Sequence, residues 1–297
     1  MFGDYGTIIT GDARTALRGL ESGSVHCCIT SPPYWGLRDY EMKGQIGLEA
    51  TPSEYVANLV QVFREVYRVL NDRGLLWLNL DDTYIGYHGN TKTADGSSSG
   101  DKPGYRENMR ETTVGVDGLK NKELAGIPWR VAFALQDEGW YLRCDAVWSK
   151  ANAKPEPKVT DRPYRAHEYV FLLTKRPRYE YDFDAVMEQA VSQPGKRGWR
   201  SVWSQPTNTR RGAGVHFAVF PESLVTPCLR AGCPVGGTVL DPFWGTGTVG
   251  SVAVQNDRRF IGVDLNPNYV RLSQQLITED ISQHETRQLS LLDLGAA

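Results

Sequence analysis

The chain has 297 residues, with 33 Lys and Arg against 35 Asp and Glu and a net charge of −2. That length buries a substantial core and permits one large α/β domain or two smaller ones. The near-neutral balance excludes a global positive field, so any nucleic-acid contact must come from local basic segments. The five cysteines, at 27, 28, 144, 228 and 233, form neither a C-x-x-C pair nor a zinc pattern. An odd count in a long chain argues against a disulfide framework and for a reduced, cytoplasmic setting. The opening MFGDYGTIIT has no basic region leading into an apolar one, so no signal peptide is expected. No run of about 18 apolar residues is present to span a membrane. The histidines are scattered without H-E-x-x-H spacing, and no metal site is expected.

In chain order, Thr7–Thr10 reads as a short strand ending in Gly11-Asp12, Thr15–Leu20 as a short helix, and Val25–Thr30 as a buried strand. Thr51 is a plausible cap and Pro52 suits the first turn of the helix that follows. Val56, Leu59, Val60, Phe63, Val66, Tyr67 and Leu70 recur at intervals of three and four, an amphipathic period. Asn71 to Gly74 should stop that helix, and Leu75–Leu80 reads as a buried strand. Residues 84–120, rich in Gly, Ser, Thr and Lys, break the pattern as a long inserted loop. A helix is expected over Leu124–Glu138 and strands over Trp140–Trp148 and Glu168–Thr174. Residues 178–215 read as irregular, and their part 195–214 carries five basic residues and no acidic one. Regularity returns with a helix over Pro221–Leu229, a strand over Thr238–Leu240, a helix over Thr248–Gln255, a strand over Arg259–Val263 and a helix over Pro267–Ile277. The tail from Glu279 is polar and reads as peripheral. Strands alternating with helices imply a mainly parallel sheet covered on both faces.

Two motifs carry chemistry. Asp241-Pro242-Phe243-Trp244-Gly245-Thr246-Gly247 lies between a strand and a helix, where Gly245 and Gly247 permit a tight turn and close approach of a ligand. No Gly-Lys-Ser/Thr follows, so it is not a P-loop, and the spacing is not the dinucleotide fingerprint. A cofactor with an amino-acid end suits this turn better than a pyrophosphate. Asp264 ends the next strand, 19 residues after Gly245, where an acid can accept bonds from ribose hydroxyls. It can also cap the helix starting near Pro267.

The other motif, Ser31-Pro32-Pro33-Tyr34, leaves the end of the strand Val25–Thr30. The exocyclic amino group of cytosine or adenine is a poor nucleophile because its lone pair is delocalised into the ring. Ser31 Oγ and the Pro32 carbonyl are acceptors able to bind its N–H groups and localise that lone pair. Tyr34 offers a face for stacking a base flipped out of a duplex. Ser31 is also readable as a simple turn residue before the prolines.

Together the two motifs resemble the S-adenosyl-L-methionine-dependent DNA amino-methyltransferases of the permuted beta class, in which [DNS]PP[YFW] precedes FxGxG. Ser31–Tyr34 is similar to the first motif and Phe243–Gly247 to the second. The resemblance covers most of the chain. It implies a Rossmann-like, circularly permuted, seven-stranded mixed-sheet α/β fold with helices on both faces, whose last two strands form an antiparallel hairpin. One catalytic domain is then expected, with the insertion at about 84–120 and a target-recognition region at about 178–215. It assigns catalysis to Ser31, Pro32, Pro33 and Tyr34. It assigns cofactor binding to Asp12, to Phe217 and Ala218 within HFAVFP, to Asp241, Pro242, Phe243, Gly245 and Gly247, and to Asp264. Glu168 to Phe171 resembles a strand that walls the base pocket.

Serine in the first motif position is typical of members that methylate cytosine N4, aspartate of adenine N6 enzymes. Cytosine N4 in double-stranded DNA is therefore the expected target, with adenine N6 the alternative. Cytosine C5 chemistry needs a cysteine at the catalytic strand end, where Ser31 stands. DNA contacts are expected from Lys196, Arg197, Trp199, Arg200, Arg210 and Arg211, with Trp203 interleaved. A homodimer and a cognate restriction endonuclease are the further candidate partners. RNA or a protein glutamine as substrate, and an inactive DNA-binding module, are the rival readings.

Overall fold

The uninterrupted apolar runs become central strands of a sheet covered on both faces. The computed structural model describes residues 2–86, 116–153, 155–156, 159–189, 194–207 and 221–295. The first part of the chain contributes β1 (Gly6–Thr10), α1 (Ala13–Ala16), β2 (Val25–Thr30), α2 (Pro52–Val69) and β3 (Leu70–Leu80). Next come α3 (Ile127–Asp137), β4 (Tyr141–Lys150), β5 (His167–Thr174), β6 (Glu188–Gln189), β7 (Lys196–Arg197) and β8 (Val202–Gln205). The last third contributes α4 (Glu222–Gly232), β9 (Thr238–Asp241), α5 (Thr248–Gln255), β10 (Arg259–Asp264) and α6 (Pro267–Gly295).

Among the described residues the main sheet has eight strands in the order β1-β10-β9-β2-β3-β5-β4-β8. Strands from β1 to β3 run parallel, β5 is antiparallel to both β3 and β4, and β4 and β8 are parallel. Side chains alternate across β3: Leu76, Leu78 and Leu80 pack with α2 and α3, whereas Leu75 and Trp77 pack with α4 and α5. Strand β9 is buried along its whole length, as expected of a parallel strand covered on both sides. Thr51 caps α2 as its sequence suggests: Glu54 N–H donates to Thr51 Oγ1 (3.1 Å), and Thr51 N–H donates to the Glu54 carboxylate (3.3 Å).

Several boundaries differ from the sequence reading. Asn71 to Gly74 does not separate helix from strand. It is an irregularity inside β3, whose register against β2 jumps from Val25–Leu70 to Cys27–Leu75. Helix α3 starts at Ile127 because the Asp82 carboxylate accepts the N–H groups of Ile127 (2.9 Å) and Gly126 (3.0 Å). The stretch 178–215 is not irregular throughout. It supplies the β6–β7 ribbon, and β8 extends the expected seven strands to eight by pairing Val202–Gln205 with Val147–Lys150. The polar tail from Glu279 continues α6 as helix. Asp280 accepts a hydrogen bond from Ser251, and His284 pairs with Asp257 (3.0 Å), so polar contacts hold it where no apolar period announced a helix. Of the inserted loop, 87–115 lies outside the described residues. Tyr84 bridges to Leu124 across it, and Val116 bridges to Leu119 in a local turn on its far side.

Trp244 fixes the glycine turn to this frame. It is buried between α5 and β10, and its Nε1–H donates to Ser273 Oγ on α6 (2.9 Å). A Cβ at Gly250 or Gly262 would overlap the Trp244 ring. Gly262→Ala should therefore destabilise the protein by about 1–3 kcal/mol through overpacking, read as a lower denaturation midpoint in urea at unchanged slope.

Candidate active site

The parallel strands end at one edge of the sheet, and the crevice outside those ends is where ligands bind in open α/β sheets. β2 and β9 are neighbours there, so Ser31 and Asp241 emerge side by side although they are far apart in the sequence. A cleft of about 810 Å³ opens across this edge. Asp12, Ser31, Tyr34, Asp241, Gly245 and Asp264 all line it.

One half of the cleft is acidic and built on the glycine turn. Gly245 and Gly247 adopt φ of 54° and 79°, a region in which a side chain is strained, and the space where a Gly245 Cβ would stand is open. Asp264 holds the turn from the next strand: Gly245 N–H donates to its Oδ2 (2.7 Å) and Asn266 N–H to its Oδ1 (2.7 Å). Asp241 Oδ1 accepts from Thr30 Oγ1–H (2.6 Å) and Phe243 N–H (3.0 Å). Burial pushes the Asp241 carboxyl up to about 7, against the pull of these bonds, and Asp264 beside it adds to the rise. Burial likewise pushes Asp264 up to about 6. Asp12 caps α1 and is bound by Arg14 (2.5 Å). Burial alone would raise its pKa, but the bonds from Arg14 outweigh that and leave it below its ordinary value. Carboxylates of this kind accept hydroxyl and ammonium donors. The turn has no lysine to meet a phosphate.

The other half is built on the proline motif. Pro33 is anchored by Tyr55 of α2, whose hydroxyl donates to the Pro33 carbonyl (2.8 Å). Behind Ser31 lies a polar network that runs across three strands. Ser31 Oγ is 3.1 Å from Tyr34 Oη, and Tyr34 Oη is 2.7 Å from Glu168 Oε2. Asn79 Nδ2–H donates to the same Glu168 oxygen (2.8 Å), and Lys150 Nζ pairs with the other (2.5 Å). Lys150 also meets Asp81 (3.4 Å), which Arg165 binds at 2.6 Å. Burial would lower the Lys150 pKa. The charges of Glu168 and Asp81 outweigh it, so the ammonium is retained.

The structure thus brings Asp12, Ser31, Pro32, Pro33, Tyr34, Asp241, Pro242, Phe243, Gly245 and Asp264 into one cleft. Gly247 does not line it and instead precedes α5 in the left-handed conformation. Phe217, Ala218, Arg210 and Arg211 lie outside the described residues. Lys196, Arg197, Trp199 and Arg200 lie off the cleft. Arg197 and Arg200 both face Glu188, at 3.2 and 3.8 Å, so the basic run meets an acid that its own sequence lacks. Trp203 is buried and stacks face to face on Trp199 at 4.2 Å, with Trp77 beside both. Trp203 belongs to the core, and Trp199 packs partly buried against it. Sequence reasoning passed over Asn79, Asp81, Lys150 and Arg165. The available signal was positional, because Asn79, Asp81 and Lys150 stand at or just beyond the ends of β3 and β4.

Comparison with known proteins agrees with this geometry. The DNA methylase family profile matches residues 25–275. The chain is 50% identical over 267 residues to the Type II methyltransferase M.Cfr9I of Citrobacter freundii, covering 90% of this chain and 86% of that one. Among solved structures, the fold is similar to the PvuII DNA methyltransferase (cytosine-N4-specific), with a TM-score of 0.67, 20% identity and coverage of 94% and 92%. It is also similar to a Thermus thermophilus DNA modification methylase complexed with S-adenosyl-L-methionine, with a TM-score of 0.61, 22% identity and coverage of 92% and 95%. With the proline motif and the glycine turn meeting across one cleft, the chain belongs to the S-adenosyl-L-methionine-dependent DNA amino-methyltransferases, the family that modifies adenine N6 or cytosine N4.

Proposed function

We propose that the protein is a Type II modification enzyme that methylates cytosine N4 in duplex DNA. The observation carrying this reading is the placement of Ser31, a neutral acceptor, at the tip of β2 beside the acidic half of the cleft. The M.Cfr9I relative is a Type II methyltransferase and the PvuII neighbour a cytosine-N4-specific enzyme, and both support it. When bound, S-adenosyl-L-methionine supplies an electrophilic methyl group. Asp12, Asp241, Pro242, Phe243, Gly245 and Asp264 would hold it, Asp264 accepting ribose hydroxyls, with Gly247 shaping the turn and Phe217 and Ala218 packing against its methionine end. Ser31 Oγ and the Pro32 carbonyl would accept the two amino N–H groups of a flipped base, drawing the nitrogen lone pair out of the ring. The amino proton is lost after methyl transfer, so no strong base is required at Ser31.

Mass analysis of nucleosides from unmodified duplex DNA, incubated with the protein and labelled S-adenosyl-L-methionine, should show N4-methylcytosine. Exclusive N6-methyladenine overturns the base assignment, and label confined to RNA or protein overturns the substrate. Ser31→Ala should cut kcat by roughly two orders of magnitude or more, in the range seen when a transition-state hydrogen bond is removed, while leaving cofactor affinity near wild type.

The two buried acids make stability and cofactor affinity run in opposite directions with pH. Their folded pKa values lie above the ordinary carboxylate value, so the stability they contribute is present below about pH 4 and lost as pH rises through about 6 to 7. Cofactor donors require the ionised carboxylates, so S-adenosyl-L-methionine should bind more weakly as pH falls from about 7.5 to 5.5. Calorimetric Kd values across that range should follow this trend, and Asp264→Asn should flatten it.

The basic residues from Lys196 to Arg211 are the ones we assign to DNA contact. Replacing Lys196, Arg210 and Arg211 by Ala should weaken DNA binding and lower the slope of log K against log salt by roughly 0.9 for each phosphate no longer neutralised. An unchanged slope would return these residues to a solvated surface.

A further inference from the structure

Glu168 is a charged residue with only 5% of its surface exposed, at the start of the reversed strand β5, and its reach toward Ser31 runs through Tyr34. Its two oxygens are the centre of the network behind the proline motif. Lys150 holds Oε1, while the Asn79 amide and the Tyr34 hydroxyl converge on Oε2. Asn79, itself 1% exposed, is locked in place by a second bond from Nδ2–H to the Tyr169 carbonyl (3.1 Å).

Proton counting across these atoms gives the network a direction. A carboxylate paired with an ammonium only accepts, so Tyr34, at 2.7 Å, must donate its one proton to Glu168. Besides Ser31, Asn79 Oδ1 lies within reach of Tyr34 (3.1 Å) and also only accepts. In either case Tyr34 has nothing left to give Ser31 but a lone pair. Ser31 must then turn its hydroxyl proton toward Tyr34, 3.1 Å away, and its remaining lone pair toward the cleft. Burial, followed by the charges of Glu168 and Asp81, raises the Tyr34 pKa well above its ordinary value and preserves it as a donor.

We propose that Glu168 is a positioning residue for methyl transfer, fixing Ser31 as a hydrogen-bond acceptor by way of the Tyr34 hydroxyl. A serine hydroxyl is otherwise free to rotate and can present a proton as readily as a lone pair. A donor facing the amino group would oppose the localisation that the reaction needs. Tyr34 thus gains a role through its oxygen, beyond the stacking face of its ring. The inference rests on the reading of Ser31 as the acceptor for the amino group.

The test compares Tyr34→Phe, Glu168→Gln and the double variant with wild type and Ser31→Ala, using labelled S-adenosyl-L-methionine and unmodified duplex DNA. Phenylalanine keeps the ring and removes the hydroxyl. Glutamine must turn an NH2 group toward Lys150 or Tyr34, which breaks the donor order. Each single variant should lower kcat by about 10- to 100-fold, the range of one charge-assisted hydrogen bond. KM for DNA and Kd for the cofactor should stay within about threefold of wild type, a split that simple structural damage would not produce. The double variant should be no slower than the slower single one, because both act through one path. Wild-type kcat in Tyr34→Phe, multiplicative effects in the double variant, or a parallel fall in cofactor affinity overturns the proposal. If Ser31→Ala itself retains full turnover, the amino-acceptor reading fails instead. Should Glu168→Gln not fold, Tyr34→Phe alone still decides.

Discussion

The contact between β2 and β9 is the constraint on which the site depends. The two strands pair through Cys27–Val239 and Cys28–Leu240, and beyond that register Thr30 Oγ1–H donates to buried Asp241. This seam joins the strand carrying the proline motif to the strand carrying the glycine turn. Its hydrogen bond is made at the bottom of the cleft, so the same contact that closes the sheet also sets the separation of the two halves of the site. A buried carboxylate without partners would be costly. Thr30 and the Phe243 amide supply the partners, which makes the seam selective for this pairing of strands.

The two halves are stiffened by different means. The glycine turn is shaped by packing: Trp244 fills the space left by Gly250 and Gly262, and Asp264 ties the Gly245 amide to the neighbouring strand. The proline half is shaped by polar connectivity, with Glu168, Lys150 and Asn79 forming a buried network behind Tyr34. Buried networks of this sort are rigid when fully satisfied and expensive when not. Each half therefore presents fixed groups to the cleft, one by exclusion of space and the other by exclusion of alternative hydrogen bonds.

Much of this arrangement was legible in the chain. The apolar period from Val56 to Leu70 and the cap at Thr51 located α2, and the runs at 25–30 and 75–80 located the central strands, because core burial imposes those patterns directly. Strand β8 was not legible. It is short, sits at the sheet edge and is held by backbone pairing to β4, so its sequence needs no alternation. The second half of α6 was hidden for a related reason, since it is held by Ser251–Asp280 and His284–Asp257 rather than by an apolar stripe.

By itself the sequence determined the family and the two motifs, because a serine followed by two prolines and a glycine turn between strand and helix are local requirements of backbone and chemistry. It also determined the order of those motifs along the chain. Only the tertiary structure decided that they meet, that Trp199 and Trp203 pack on each other, and that Glu168 stands behind Tyr34. Those facts depend on which strands become neighbours. Strand order is set by burial summed over the whole sheet, and no local stretch of residues contains it.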